Sequence, residues 1–265
     1  MAVILGLLFG WNNGSLIFGN LRGSGATSIL TAFLISAFGL VLGVALEGSK
    51  MFSGLAGALA PTTTDSVLLT TLVISVAFTF ILTILSLPVS FSMVMVAAFL
   101  GATASSTITI NFARSAEVVL FWFAAPLVTA LLTFVAYNLT SRFVSGFGIL
   151  AVDQFNRTGS VVSAILVSYT LGANNVGLIY GGTLERGTTV QIAVIAAITL
   201  AALVGMVIST RSGVSGTIGD KMLSLSPQEV FIAFGASAVV VWVGTQFTIP
   251  LSISQCLLGG MFGAA

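Results

Sequence analysis

Apolar residues run through this chain in blocks of roughly twenty, the length that crosses the hydrocarbon of a bilayer as a helix. The blocks predict helices over 1–19, 26–47, 66–86, 88–104, 115–138, 160–181, 188–209, 228–247 and 250–264. The few charges gather between blocks, as Arg22, Glu47 with Lys50, Asp65, Arg114 with Glu117, Arg142 to Arg157, Glu185 with Arg186, and Arg211 to Glu229. Segments 49–64 and 211–226 are rich in Gly, Ser and Thr and too polar to span, so they predict short interfacial helices or loops. The expected fold class is an all-α, polytopic transmembrane helical bundle.

The pattern occurs twice. GWNNGSLIFG at 10–19 returns as GANNVGLIYG at 172–181, and LPVSFS at 87–92 returns as IPLSIS at 249–254, both 162 residues later. Glycines 43, 54, 57 and 101 recur at 205, 216, 219 and 263. The expected organisation is a first repeat over 1–104, a connecting helix and loop over 105–160, and a second repeat over 161–265. Each Pro (Pro88, Pro250) disfavours helix before it and is compatible with a new helix starting there. Two geometries follow, a re-entrant hairpin with the Ser residues at its tip or two full spans. Three spans separate the repeat starts in the first case and five in the second, so either number inverts the second copy. With hairpins and the N-terminus outside, Arg22, Arg142, Arg157, Arg211 and Lys221 fall inside and Lys50, Arg114 and Arg186 outside. That is a positive-inside bias.

Composition removes most other classes. Hydrophobic residues make up 57% of the chain and charged residues 6%, with a mean hydropathy of +1.16. A soluble domain of this size needs a charged shell that is missing here. The expected location is therefore the cell membrane, as a multi-pass protein, and residues 1–9 read as part of the first span. No basic patch invites nucleic acid. The single Cys256 excludes an internal disulfide. With no His and no Asp or Glu at mid-membrane, enzyme chemistry and metal ligation lack their usual groups, so no enzyme, metal or cofactor is expected.

Candidate chemistry therefore lies in amides and hydroxyls. Asn12 and Asn13, and Asn174 and Asn175, sit inside apolar helices, where an unpartnered amide costs several kcal/mol. One isolated Asn would read as interhelical glue. Two repeat-related pairs beside glycines point to locally unwound helices that present donors and acceptors. Ser90, Ser92, Ser252 and Ser254 follow the prolines. Capping alone explains a single Pro-x-Ser; two copies aimed from opposite faces favour an oxyanion cradle of helix N-termini and hydroxyls. These eight residues are the expected substrate-binding set. Trp122 and Trp242 read as interface anchors, and Glu47, Asp65, Glu117 and Glu185 as solvated helix-end groups.

At these residues the chain resembles the inorganic phosphate transporter family of secondary carriers, whose two copies carry GANDVANA and PVSTTH. GANNVGLI at 172–179 resembles the first motif, with GWNNGSLI at 10–17 its weaker partner, and PVSFS and PLSIS resemble the second. Trp122-x-x-x-Pro126 resembles a helix motif that follows the first copy. The resemblance covers 10 to 142 and 165 to the end, and implies a permease for an inorganic oxyanion working by alternating access. Ala265 falls where the second copy's equivalent of the Trp122 helix is expected, which would leave a helix face for a homodimer. The motif Asp is Asn13 and Asn175 here, its later Asn is Leu16 and Leu178, and its His is Met93 and Gln255. In the family the aspartates serve cation coupling and substrate binding, so sodium or proton coupling stays open. Without them a donor-only site leans toward sulfate over phosphate, which needs an acceptor for its proton. An uncoupled anion channel and a non-transporting scaffold subunit are the alternatives.

Overall fold

A computed structural model describes residues 1–60, 62–87, 89–181, 188–210 and 225–264. Pro88, Glu185, Arg186 and the predicted interfacial segment 211–226 up to residue 224 lie outside the described residues. The described chain is helical: α1 (Ala2–Gly23), α2 (Ile29–Leu59), α3 (Asp65–Ile84), α4 (Phe91–Ala104), α5 (Phe112–Val144), α6 (Ile149–Gly181), α7 (Thr188–Ser209), α8 (Pro227–Gln246) and α9 (Ile253–Ala264). Seven of these helices are long and apolar enough to cross a membrane, whereas α4 and α9 are not. At 14 and 12 residues they rise only about 21 and 18 Å.

Helix starts follow their sequences. The Thr64 side chain caps α3 and the Asn111 side chain caps α5. A capping box between Ser226 and Glu229, with Pro227 in the first turn, begins α8. Three helices are clearly longer than expected, α5 among them at Phe112–Val144 against 115–138. The polar stretch from 49 does not leave the helix; α2 runs on to Leu59, with Glu47 and Lys50 paired one turn apart at 2.9 Å. Likewise α6 starts at Ile149, not near 160. Its first turns carry the Asp153–Arg157 pair at 2.8 Å, and Arg157 donates to the Gly25 carbonyl.

The first two helices of each copy pack across the copies. α1 lies on α7, and α6 lies on α2. Glycine makes this approach possible. A Cβ on Gly10 would sit 1.9 Å from the Ala202 carbonyl oxygen, and one on Gly205 would sit 2.0 Å from that of Leu7. The equivalent pair, Gly172 on Leu40 and Gly43 on Tyr169, behaves alike at 2.1 and 1.9 Å. The third and fourth helices pair within each copy, α3 with α4 and α8 with α9. Large apolar side chains at Leu120, Phe123, Leu127, Leu131 and Phe134 of α5 are exposed, as a lipid-facing stripe requires.

Candidate functional site

The turns that join α3 to α4 and α8 to α9 are built alike. Each long helix ends with a residue in the left-handed region, Ser86 at φ 57° and Thr248 at φ 55°. Ser86 N–H bonds the Thr83 carbonyl and Leu87 N–H that of Leu82; Thr248 and Ile249 repeat this with Thr245 and Gly244. This is a Schellman closure, normally made with glycine. The chain leaving each turn is buried: Val89, Ile249 and Leu251 are each 2% exposed. Each hairpin has one 20-residue arm, α3 or α8, and one short arm, α4 or α9.

The first Asn of each pair holds a tip. Asn12 Nδ2 donates to Thr83 Oγ1 at 3.1 Å and to the Leu87 carbonyl at 2.9 Å, while its Oδ1 accepts from Val89 N–H at 2.9 Å. Asn174 Nδ2 repeats the first two bonds, to Thr245 Oγ1 at 3.0 Å and the Ile249 carbonyl at 3.3 Å. Its Oδ1 is buried without a partner. The amides stitch extended backbone that no helix satisfies. Neither pair unwinds its helix as expected. α1 continues through Asn12 and Asn13, and α6 only widens into a π-turn over Gly172–Val176. The side chains reach out to the tips, so the helix backbone has no need to open. The second Asn of each pair is freer. Asn13 Nδ2 reaches the Phe9 carbonyl of its own helix at 3.4 Å, and Asn175 Oδ1 is buried with no partner.

The serines divide too. Ser252 Oγ accepts from Gln255 N–H at 3.3 Å, as a helix cap, and lies 3.0 Å from Ser254 Oγ. Ser254 Oγ donates to the Val89 carbonyl at 3.3 Å, so the second tip touches the first. Ser90 begins α4 without capping it, and the hydroxyls of Ser90 and Ser92 have no partner. Capping explains Ser252 and leaves Ser90 and Ser92 unexplained. Gln255 Oε1 is another buried, unpartnered acceptor. Among the described residues, no Asp, Glu, Lys or Arg is buried.

Three groups near the tips escaped the sequence reading. Trp122 is no interface anchor: it is 8% exposed, and its indole N–H donates to the Pro250 carbonyl at 2.8 Å. Glu47 is not freely solvated. Its side chain is 14% exposed and shares Lys50 and Gln246. Thr83 and Thr245, the hydroxyl partners of the two amides, stand at the repeat offset of 162 residues, the signal that would have found them.

The profile of the Phosphate transporter family matches residues 9–154 and 149–265. The chain belongs to that family. It is a multi-pass membrane protein of a transporter family, not an enzyme. A protein of Methanocaldococcus jannaschii named "Putative phosphate permease" is 24% identical over 97% of this chain and 80% of its own length. A Bacillus subtilis protein named "Probable low-affinity inorganic phosphate transporter" is 22% identical, over 99% of this chain and 84% of its own. A solved structure titled "The sodium-dependent phosphate transporter" shares the fold, with a TM-score of 0.85 at 16% identity. The match covers 99% of this chain and 86% of the other.

Proposed function

We propose that this family member carries inorganic phosphate across the membrane by alternating access, at a site between the two hairpin tips. The copies then run in opposite senses, because each hairpin returns to the side it left and three spans separate the copies. Ser90, Ser92, Ser252 and Ser254 supply hydroxyls, Asn13 and Asn175 amides, and Asn12 and Asn174 hold the tips in place. The observation that carries this reading is the Ser254 bond to the Val89 carbonyl, beside the unpartnered hydroxyls of Ser90 and Ser92. A buried polar atom without a partner costs about 1–3 kcal/mol, a cost that a bound ligand removes.

Phosphate, not sulfate, fits the unpartnered set. Asn174 Oδ1, Asn175 Oδ1 and Gln255 Oε1 are acceptors in need of a proton donor. Phosphate near neutral pH carries a P–OH group, whereas sulfate carries none. Uptake of radiolabelled phosphate and sulfate into proteoliposomes tests this. Phosphate should accumulate, sulfate should compete weakly, and Ser90→Ala should lower uptake. Well-folded protein that moves neither anion would end the proposal, and sulfate moving as well as phosphate would remove the acceptor argument.

An uncoupled facilitator is the second reading, favoured because the buried polar side chains among the described residues include no carboxylate to hold a cation. The neighbouring fold is titled sodium-dependent, so uptake with and without a sodium or proton gradient separates the two.

A further inference from the structure

The two tips share a backbone design but not a setting. Around the second tip, Arg114 at the start of α5 donates to the Phe247 carbonyl at 2.8 Å, the Thr248 carbonyl at 3.5 Å and Thr248 Oγ1 at 3.1 Å. Its other terminal nitrogen pairs with Glu117 at 2.6 Å, which holds the guanidinium in place. Two turns along α5, Trp122 donates to the Pro250 carbonyl. From the opposite side Gln246, the last residue of α8, bonds both Lys50 and Glu47 of α2. Below the tip, α9 is seated on α5 so closely that a Cβ on Gly259 would lie 2.3 Å from the Pro126 carbonyl oxygen. Thr248 is β-branched and at positive φ, a conformation that surrounding bonds must enforce.

The first tip lacks this. Leu87 is 47% exposed where its equivalent Ile249 is 2%, and Ile84 is 58% exposed where its equivalent Gln246 is half-buried, although Leu85 and Phe247 are both exposed. Among the described residues no charged side chain bonds the turn at 85–87; Asn12 holds it from within. The helix that carries it is polar on its buried side. Thr71, Ser75, Thr79 and Thr83 of α3 are all buried at four-residue spacing, so they form one stripe, and Ser75 Oγ and Thr79 Oγ1 have no partner. The corresponding residues of α8 are Ala233, Ser237, Val241 and Thr245, two of them apolar.

We propose that Arg114 is a positioning residue that fixes the Ser252–Ser254 tip as the stationary wall of the site, so that access is opened by the α3–α4 tip. Arg114 acts through the Phe247–Thr248 turn and does not touch the substrate. Movement of the first tip uncovers a face lined by four hydroxyls, whereas movement of the second would uncover one that is half apolar and break charge-assisted bonds. The role in transport rests on the carrier reading above; the difference in tip mobility does not.

Hydrogen–deuterium exchange of the purified protein reads that mobility directly, because amides exchange through local opening. In the wild type, the amides of Ser86 and Leu87 should exchange faster than those of Thr248 and Ile249. Arg114→Gln should speed exchange at Thr248 and Ile249 about tenfold or more, the scale set by losing a bond to a charged group. The first tip should be unchanged, which also reports that the variant is folded. Arg114→Lys, a point charge without the guanidinium fork, should restore protection only in part. If Arg114→Gln is too unstable to purify, Thr248→Gly in the same background should recover it by relieving the positive φ, and should itself restore protection. Equal exchange at both tips in the wild type, or no effect of Arg114→Gln, overturns the proposal. Phosphate uptake by the same samples separates the questions. Unchanged exchange with active uptake leaves the carrier reading standing, and the predicted exchange with no uptake by the wild type removes the carrier reading alone.

Discussion

The eight amides and hydroxyls divide by what each already bonds, and the division predicts which mutants lose stability and which lose transport. Asn12 closes three bonds with the first tip, and truncation leaves the part-buried Leu87 carbonyl and the buried Val89 N–H without that partner. Asn174 closes two with the second and keeps its Oδ1 unpaired. At about 1–3 kcal/mol for each orphaned group, Asn12→Ala should lower the thermal midpoint in detergent further than Asn174→Ala. Equal losses would mean that the Val89 N–H bond contributes nothing. Ser90 and Ser252 should separate in the opposite way. Ser252 caps α9 and bonds Ser254, so Ser252→Ala should cost stability of about 0.5–2 kcal/mol, the usual range for a cap. Ser90 has no partner to lose, so Ser90→Ala should keep the wild-type midpoint while phosphate uptake falls. A Ser90→Ala protein that is destabilised yet transports normally would make Ser90 a packing residue.

At the scale of the helix, the close approaches make a sharper test than hydrophobicity does. Gly205→Ala forces a Cβ to 2.0 Å from the Leu7 carbonyl oxygen of α1. Backbone cannot yield as a side-chain tip does, so the α1–α7 pair must separate. A loss in the overpacking range of about 1–3 kcal/mol, or more, is expected in a thermal or denaturant titration. Gly101→Ala is the control, because a Cβ there meets nothing within 4 Å. It should be neutral or gain up to about 1 kcal/mol from helix propensity. Similar losses in both would show that glycine serves something other than helix contact. The element scale is also where sequence reading worked best and where it stopped. Apolar run length found every described span, and the repeat found Asn12, Asn174 and both tips, because periodicity and recurrence are local in sequence. It missed the extension of α2 to Leu59 and the early start of α6, since a charge pair one turn apart reads as a break until its helix is seen. It also placed Trp122 and Glu47 at the surface, because burial of one residue depends on partners more than a hundred positions away, Pro250 and Gln246.

For the whole molecule, the copies interlock, α1 on α7 and α2 on α6, and each carries its own hairpin, α3 with α4 and α8 with α9. Ser254 bonding the Val89 carbonyl is where the two halves touch at the tips. A ligand seated there would tie the halves together and should stabilise the entire fold, not one hairpin. A ligand that binds only the folded state raises stability by RT ln(1 + [L]/Kd), about 2.7 kcal/mol at a hundredfold excess over Kd. Phosphate should therefore raise the thermal midpoint of the purified protein with a logarithmic dependence on concentration, and sulfate at equal ionic strength should raise it less. Ser92→Ala removes a buried hydroxyl with no protein partner. It should leave the phosphate-free midpoint in place and flatten the phosphate response. Adding sodium then reads coupling at equilibrium, since a cation that binds with phosphate steepens the response and an uncoupled carrier shows none. A midpoint that rises equally with phosphate, sulfate and chloride would mark a general salt effect, and the site between the tips would lose its support. A phosphate-specific rise that survives Ser92→Ala, Ser90→Ala and Ser254→Ala together would keep the ligand but move it elsewhere in the bundle.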